Sequence, residues 1–538
     1  MFARTTVLSR DRAYRILLGS ALGLGIVGVT RVWWAGLGLW KDEAGIANNL
    51  NRSYLALTGH LTYEQVAPVG WLWLEKAILE VLGADDRVIR LPSYLGALAV
   101  LCLSTLIAHR VIGRAGAVVV AGLLAWSPTL LVYSGELKQY TWEAGVALAL
   151  LLLGAWAHQA IRWTRPISRR GMLASVAWVA ATGVAVFVSY SAILVTAAVT
   201  AAVVGMHALR RSWADVAWQA ALSVPAGLAA AFLVARRHRF AFYPGQTDYF
   251  EGGTAPEGAS LREFLAWPPY LWRQFVDAPM RWQLSALTLL LMVAGVVALR
   301  RRRPLWAAML ASVFVVAFGG AAARGYPMTS RPAIYLIAPT VLLVVAGLDG
   351  LVRAYAVVRH RGRGVVATVA LVAVLVGVAV MVRPVYGTVR KEIAAPQGKE
   401  ALRDALRDIS GQVREGDLVL VYYFGKAVET WYRPRMDIGE NVVYVRLCQP
   451  ESPSENRLAL WERINQAKRV FYVQGRLNAT TRRDNFDVSV QALAAIGTVV
   501  ERHDAPRDRI GPHSWALVEI THPSPAPTSA AEPCLETN

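Results

Sequence analysis

The feature that most constrains this chain is a succession of apolar stretches close to twenty residues long, separated by short loops that are strongly basic on alternate turns. A helix rises about 1.5 Å per residue, so about 20 apolar residues cross the hydrocarbon of a bilayer. Such stretches fall at 16–37, 91–109, 115–133, 142–161, 172–190, 192–209, 215–235, 283–299, 304–321, 332–349 and 365–383. The division at Ser189-Tyr190-Ser191 allows only a very tight turn. The 538 residues are 55% hydrophobic and 17% charged, where soluble chains carry about 25% charged residues. The pattern predicts a polytopic α-helical membrane protein of about eleven spans. The basic N-terminus, Met1 to Arg15, runs into the first span without a small-residue cleavage site, which predicts a retained helix.

The net charge of +19 raises a nucleic-acid reading, but the charge sits in loops between spans. Arg4, Arg10, Arg12 and Arg15, then Arg110 and Arg114, Arg162 to Arg170, Arg210 and Arg211, Arg300 to Arg303, and Arg353 to Arg363 all fall on one side of an eleven-span count. The positive-inside rule makes that side cytoplasmic. Loops 38–90, 134–141, 236–282, 322–331 and the chain after about 384 then lie outside the cell membrane. The N-terminus is cytoplasmic, and no nucleic-acid partner is implied. Within loop 38–90, Val69 to Leu79 is apolar and aromatic but too short to span. It reads as an interfacial helix with its tryptophans at headgroup level.

Past residue 384 the texture changes. Helical Gln397 to Gln412, Lys426 to Tyr432, Glu455 to Ala467 and Val488 to Ile496 alternate with strand-like Asp417 to Phe424, Val442 to Leu447 and Arg469 to Gln474. Further strands are expected at Thr498 to Arg502 and Trp515 to Ile520. Such alternation predicts an extracytoplasmic α/β domain with a largely parallel sheet over 384–520, after a membrane domain over 1–383. Residues 521–538 are rich in Pro, Ala, Ser and Thr and are expected to be disordered. Cys102, Cys448 and Cys534 are scattered, with no metal spacing and no disulfide framework. No internal repeat is evident, which weighs against repeat-built transporters.

The chemistry-bearing residues collect on the outer side. Asp42-Glu43 follows the first span, where burying charge near hydrocarbon is costly. Adjacent side chains diverge, so only one can be aimed at a given reacting atom. One reading is a general base at an outward-facing cavity; the other is a helix cap beside a solvated acid. The segment Tyr133 to Glu143 joins two spans and carries Glu136, Lys138, Gln139 and Tyr140. It is either internally paired charge, Glu136 with Lys138 or Glu143, or the wall of a polar site facing Asp42. Arg236, Arg237, His238 and Arg239, with Arg324 and Arg331, are cations on the side that should lack them. Arginine grips phosphate bidentately; contact with lipid headgroups is the alternative. One acid, several cations and an opening to the outer leaflet suit transfer of a sugar from a lipid phosphate. That leaving group is a weak base needing no proton, so one carboxylate accepts the acceptor proton and cations stabilise the departing phosphate. No cluster of metal ligands is visible; a divalent cation is open but not indicated.

The order of motifs resembles the GT-C membrane glycosyltransferases, in the branch of protein O-mannosyltransferases and lipid A aminoarabinose transferases. The resemblance is carried by Asp42-Glu43, by Ala67-Pro68-Val69-Gly70-Trp71-Leu72-Trp73-Leu74 ending in Leu82-Gly83, and by Arg90-Leu91-Pro92-Ser93. Tyr133-Ser134-Gly135-Glu136-Leu137-Lys138-Gln139-Tyr140 and Arg331-Pro332-Ala333-Ile334-Tyr335 complete it. It implies a GT-C-like membrane domain, a polyprenyl-phosphate sugar donor, and inverting transfer on the extracytoplasmic face to a glycan, lipid or protein of the envelope. Carried onto this chain, it makes Asp42 the base and puts Glu136, Lys138 and Tyr140 in the site wall. Two positions depart from the family: Ala67-Pro68-Val69 stands where His-Pro-Pro or Lys-Pro-Pro is common, and Gly135 where glutamine is common. The competing readings are a lipid-carrier flippase or transporter, which predicts ionisable residues within several span interiors, and an envelope-assembly protein. High Ala, Gly, Arg and Val content points to a GC-rich bacterial source. The sugar and the acceptor stay open.

Overall fold

The computed structural model describes residues 2–161, 168–235, 252–360, 364–448, 454–475, 480–504, 514–522 and 535–537. The chain forms two compact units. The first comprises Met1–Ala35, Thr58–His60 and Val66–Pro396; the second comprises Gly36–Leu57, Leu61–Gln65 and Gln397–Asn538. Part of the loop after the first helix, Gly36–Leu57 and Leu61–Gln65, thus groups with the C-terminal residues.

In chain order the helices are α1 (Phe2–Trp34), α2 (Lys41–Leu50, in the second unit), α3 (Val69–Leu82), α4 (Leu91–Val111), α5 (Arg114–Ala125), α6 (Pro128–Ser134), α7 (Tyr140–Ala160), α8 (Arg169–Val188), α9 (Ser191–Leu209) and α10 (Trp213–Ala235). After these come α11 (Leu261–Phe275), α12 (Ser285–Arg302), α13 (Pro304–Ala322), α14 (Ile337–His360) and α15 (Gly364–Ala394). Among the described residues nine helical stretches are long and apolar enough to cross a membrane, or up to eleven if each of two bent pairs is one span. The chain is thus a polytopic membrane protein of the expected kind.

The bends have local causes. The span expected over 115–133 turns by 60° between α5 and α6. Pro128 opens α6 there, and Ser127 Oγ accepts the Leu130 N–H at 3.3 Å as its cap. The tight turn at Ser189–Ser191 is real: α8 stops at Val188, and Ser189 Oγ accepts the Ala192 N–H at 3.2 Å. The segment expected to form the second outer loop is not loop throughout. It holds α11, and Leu261–Met280 turns by 92° into α12. Helix α15 runs eleven residues past the expected end of its span, to Ala394.

Packing in the first unit is by Leu, Val and Ala with a few large rings, among them the fully buried Trp178 and Phe275. Trp178 donates its ring N–H to Ser223 Oγ at 3.2 Å, tying α8 to α10. Helix α3 forms as expected, but its tryptophans diverge. Trp71 is fully buried in protein, and only Trp73 is exposed in the way a headgroup contact needs.

The second unit carries β1 (Leu418–Tyr422), β2 (Val442–Leu447), β3 (Arg469–Gln474), β4 (Gly497–His503), β5 (Ser514–Ile520) and β6 (Leu535–Thr537). Their order is β4-β5-β3-β1-β2-β6. β1 pairs parallel with β2 and β3, whereas β6 on β2, β5 on β3 and β4 on β5 are antiparallel. The sheet is therefore mixed rather than largely parallel: its centre, β3-β1-β2, is parallel, and its outer strands run antiparallel to their neighbours. Helices α16 (Leu402–Ile409) and α17 (Lys426–Tyr432) precede and follow β1. Helices α18 (Ser454–Gln466) and α19 (Thr480–Ala494) supply Leu460, Trp461, Phe486 and Leu493 to one face, against Leu418, Leu420, Val470 and Tyr472. The tail expected to be disordered ends in a strand, with Leu447 opposite Leu535. Cys448, the next residue along β2, is disulfide-bonded, which corrects the expectation of no disulfide. Cys102 is free; Cys534 lies outside the described residues.

Candidate active site

The acidic pair opens α2. Trp40 is extended, and Lys41, Asp42 and Glu43 form the first helical turn. Glu43 is buried and its Oε2 accepts the Trp40 N–H at 3.3 Å, so this carboxylate caps its own helix. Asp42 stays partly exposed. Of the two sequence readings, the cap therefore describes Glu43, and Asp42 is the acid presented outward. Other atoms of α2 are tied within the second unit. Asn48 Nδ2 donates to Ala44 O at 2.9 Å and to Ala427 O at 2.7 Å. Asn49 Oδ1 accepts the Thr62 N–H at 2.9 Å.

The segment 133–143 lies in the first unit, between α6 and α7. Glu136, Lys138 and Gln139 are all buried, an unusual density of polar side chains for a turn between spans. Ser93, in the Arg90-Leu91-Pro92-Ser93 motif, fastens the segment to α4. Its hydroxyl donates to Lys138 O at 2.7 Å, and Ser93 O accepts from the Thr141 hydroxyl at 2.7 Å. Gly96, one turn on, permits the approach: a Cβ there would meet Trp142 N at 2.4 Å. Ser134 Oγ reaches Val29 O of α1 at 3.3 Å. Beside it, a Cβ on Gly135 would meet Val32 Cγ1 at 2.8 Å, which gives the departure from glutamine a steric cause. Tyr133 and Tyr140 meet edge to face at 5.6 Å. Gln139 Oε1 is buried without a hydrogen-bond partner.

Glu143 is the residue whose importance the sequence underplays. It does not serve as a charge partner for Glu136 among the contacts seen; it is a buried hub. Its Oε1 accepts the Tyr190 N–H at 3.0 Å and its Oε2 accepts the Tyr326 hydroxyl at 3.3 Å. Tyr190 in turn donates its hydroxyl to Ala67 O at 2.8 Å, at the entry to α3. Tyr326 also reaches Pro332 O at 3.3 Å and packs edge to face on Tyr335 at 6.3 Å. One carboxylate thus gathers α7, the α8–α9 turn, the start of α3 and the Arg331–Leu336 turn. Tyr335 is buried beside this network, on the turn that Arg331 opens. Arg324 is engaged elsewhere, in an exposed ion pair with Glu257 at 2.7 Å. Arg237 lies outside the described residues, as do Arg236, His238 and Arg239. Among the described residues no group of three or more His, Cys, Asp or Glu is placed to hold a metal ion.

No family model matches the chain, and no curated protein matches it. Among solved structures, ArnT from Cupriavidus metallidurans in the apo state aligns over 95% of this chain and 98% of its own, at 15% identity and a TM-score of 0.50. The chain shares the fold of this ArnT. The same ArnT bound to undecaprenyl phosphate aligns over 93% of this chain and 97% of its own, at 16% identity and a TM-score of 0.46. The archaeal oligosaccharyltransferase AglB from Archaeoglobus fulgidus, in complex with an inhibitory peptide and a dolichol-phosphate, aligns over 85% of this chain and 69% of its own, at 13% identity and a TM-score of 0.43. Within this fold, Asp42 stands in the first loop after α1, and the polar segment stands between α6 and α7.

Proposed function

We propose that this protein is an inverting membrane glycosyltransferase that moves a sugar from a polyprenyl-phosphate donor to an extracytoplasmic glycan, lipid or protein acceptor. The observation that carries the reading is Asp42: a partly exposed carboxylate on the first turn of α2, in a GT-C fold, whose neighbour Glu43 is committed to capping. In this reading Asp42 takes the proton of the acceptor hydroxyl as its oxygen bonds to the anomeric carbon. The anomeric carbon–phosphate oxygen bond breaks, and the polyprenyl phosphate leaves with the electron pair, needing no general acid. Lys138 and Arg331 offset the phosphate charge. Gln139 Oε1, buried and without a partner, offers an acceptor for a sugar hydroxyl. Glu136, Tyr133, Tyr140 and Tyr335 complete the donor wall.

The extracytoplasmic placement of the second unit is supported by the disulfide at Cys448, since such bonds persist in oxidising compartments. The test is sugar release from a panel of labelled polyprenyl-phosphate sugars by the full chain in nanodiscs, wild type beside Asp42→Asn. One donor should turn over, and the substitution should lower its turnover by about 10³-fold, the scale of a lost general base. Unchanged turnover in Asp42→Asn would remove Asp42 from the mechanism, and no release from any donor would sink the transferase reading.

A further inference from the structure

We infer that the C-terminal α/β domain is the positioning device for the catalytic base, with Glu400, Arg403 and Tyr432 setting where Asp42 points. The inference rests on Asp42 being the base. Helix α2 has ten residues, too few to hold a direction in water by its own hydrogen bonds. Its direction comes from what grips its ends. The Leu39 N–H donates to the Tyr432 hydroxyl at 2.9 Å, and the Lys41 N–H donates to Glu400 Oε2 at 3.0 Å. Arg403 Nη1 donates to Gly36 O at 2.6 Å, fixing the chain four residues ahead of Trp40. Lys399 stacks over the Trp40 ring at 4.5 Å. Six residues beyond Asp42, Asn48 is bonded to Ala427 O. Glu400 and Tyr432 are themselves buried, so these grips are shielded from water. Asp42 is bracketed on both sides by groups of the C-terminal domain.

The alternative role for such a domain is a ligand site of its own. In an open α/β sheet that site lies at the carboxyl ends of the strands where successive crossovers part. Here the crossover from β1 to β2 runs one way and the crossover from β2 runs back past β1 to β3, so the crevice belongs at the ends of β1 and β3. Leu402 of α16 fills it. A Cβ on Gly425 would meet Leu402 Cδ2 at 2.5 Å, and one on Gly475 would meet Leu402 Cβ at 2.4 Å. The crevice is closed by the same helix that carries Arg403, directly after Glu400.

The test uses the full chain in nanodiscs, with Glu400→Ala, Glu400→Gln, Tyr432→Phe and Asp42→Asn. Amide hydrogen exchange over 37–45 is measured with kcat and KM for the donor. In Tyr432→Phe and Glu400→Ala, exchange should quicken and kcat should fall by about tenfold or more, because small misplacements of a reacting group are costly. Donor KM should hold within about twofold, since donor binding does not use these groups. Glu400→Gln keeps an acceptor oxygen for the Lys41 N–H and should recover part of the loss. Tyr432→Phe removes a single hydroxyl and keeps the test available if Glu400→Ala does not fold. Quickened exchange with unchanged kcat would overturn the inference, as would unchanged exchange. Loss of turnover in Asp42→Asn with full turnover in the other variants defeats the positioning role alone; full turnover in Asp42→Asn defeats the underlying reading.

Discussion

Glu75 on α3 is fully buried, with neither carboxylate oxygen hydrogen-bonded. Burial pushes its pKa well above the usual carboxylate range. A folded-state pKa raised above the unfolded value means that no penalty exists below about pH 4, where both states are protonated, and that stability is lost as pH rises above it. Glu75→Gln should therefore raise Tm at pH 8, by on the order of 2 °C, with the difference closing towards pH 4; a thermal-shift series across that range checks it, and a lower Tm at pH 8 would mean that Glu75 has a partner in the working protein. The acidic pair divides at the same scale. Glu43→Gln keeps an oxygen for the Trp40 N–H, so it should cost turnover far less than Asp42→Asn, whereas Glu43→Ala should cost about 1 kcal/mol of stability as a lost cap.

At the scale of elements, the polar turn between α6 and α7 is shaped by its neighbours. Glu143 holds the α8–α9 turn and the loop before α14 through Tyr190 and Tyr326. Glu143→Leu strands the buried Tyr190 N–H and should cost about 2 kcal/mol. It should also loosen the chain at 323–336, read as faster proteolysis or amide exchange there; unchanged exchange would show that the loop is held by other contacts. Gly96→Val drives a side chain into the backbone at Thr141–Trp142 and should abolish folded yield, because backbone atoms cannot move aside as a flexible side chain can.

For the whole molecule, the proposed orientation draws on two independent chemistries, the charge of the basic loops and the redox environment that a disulfide at Cys448 needs. In intact cells a membrane-impermeant maleimide should label Cys448 only after reduction. A cysteine introduced as Arg301→Cys should be labelled only after the membrane is opened. Labelling of Arg301→Cys in sealed cells would reverse the topology and with it the side on which Asp42 works.

The spans, within a count of nine to eleven, and strands β1 to β5 of the second unit were legible in the chain alone, whereas β6 and the place of α2 were not. Hydrocarbon demands about 20 apolar residues from every crossing, and strand and helix periods are local, so each segment declares itself. The acidic pair and the polar turn were legible for a related reason: charge at a membrane exit is conspicuous. What the sequence could not rank was the use of each polar group. Asp42 and Glu43 are equivalent as letters, and only the fold commits Glu43 to Trp40. Glu143 was one polar residue among several in the 133–143 segment until Tyr190 and Tyr326 arrived from elsewhere. The grip on Lys41 comes from Glu400, 359 residues away. Hydrogen bonds are decided by distances of a few ångströms between atoms whose separation along the chain carries no signal, so the tertiary structure alone assigned them.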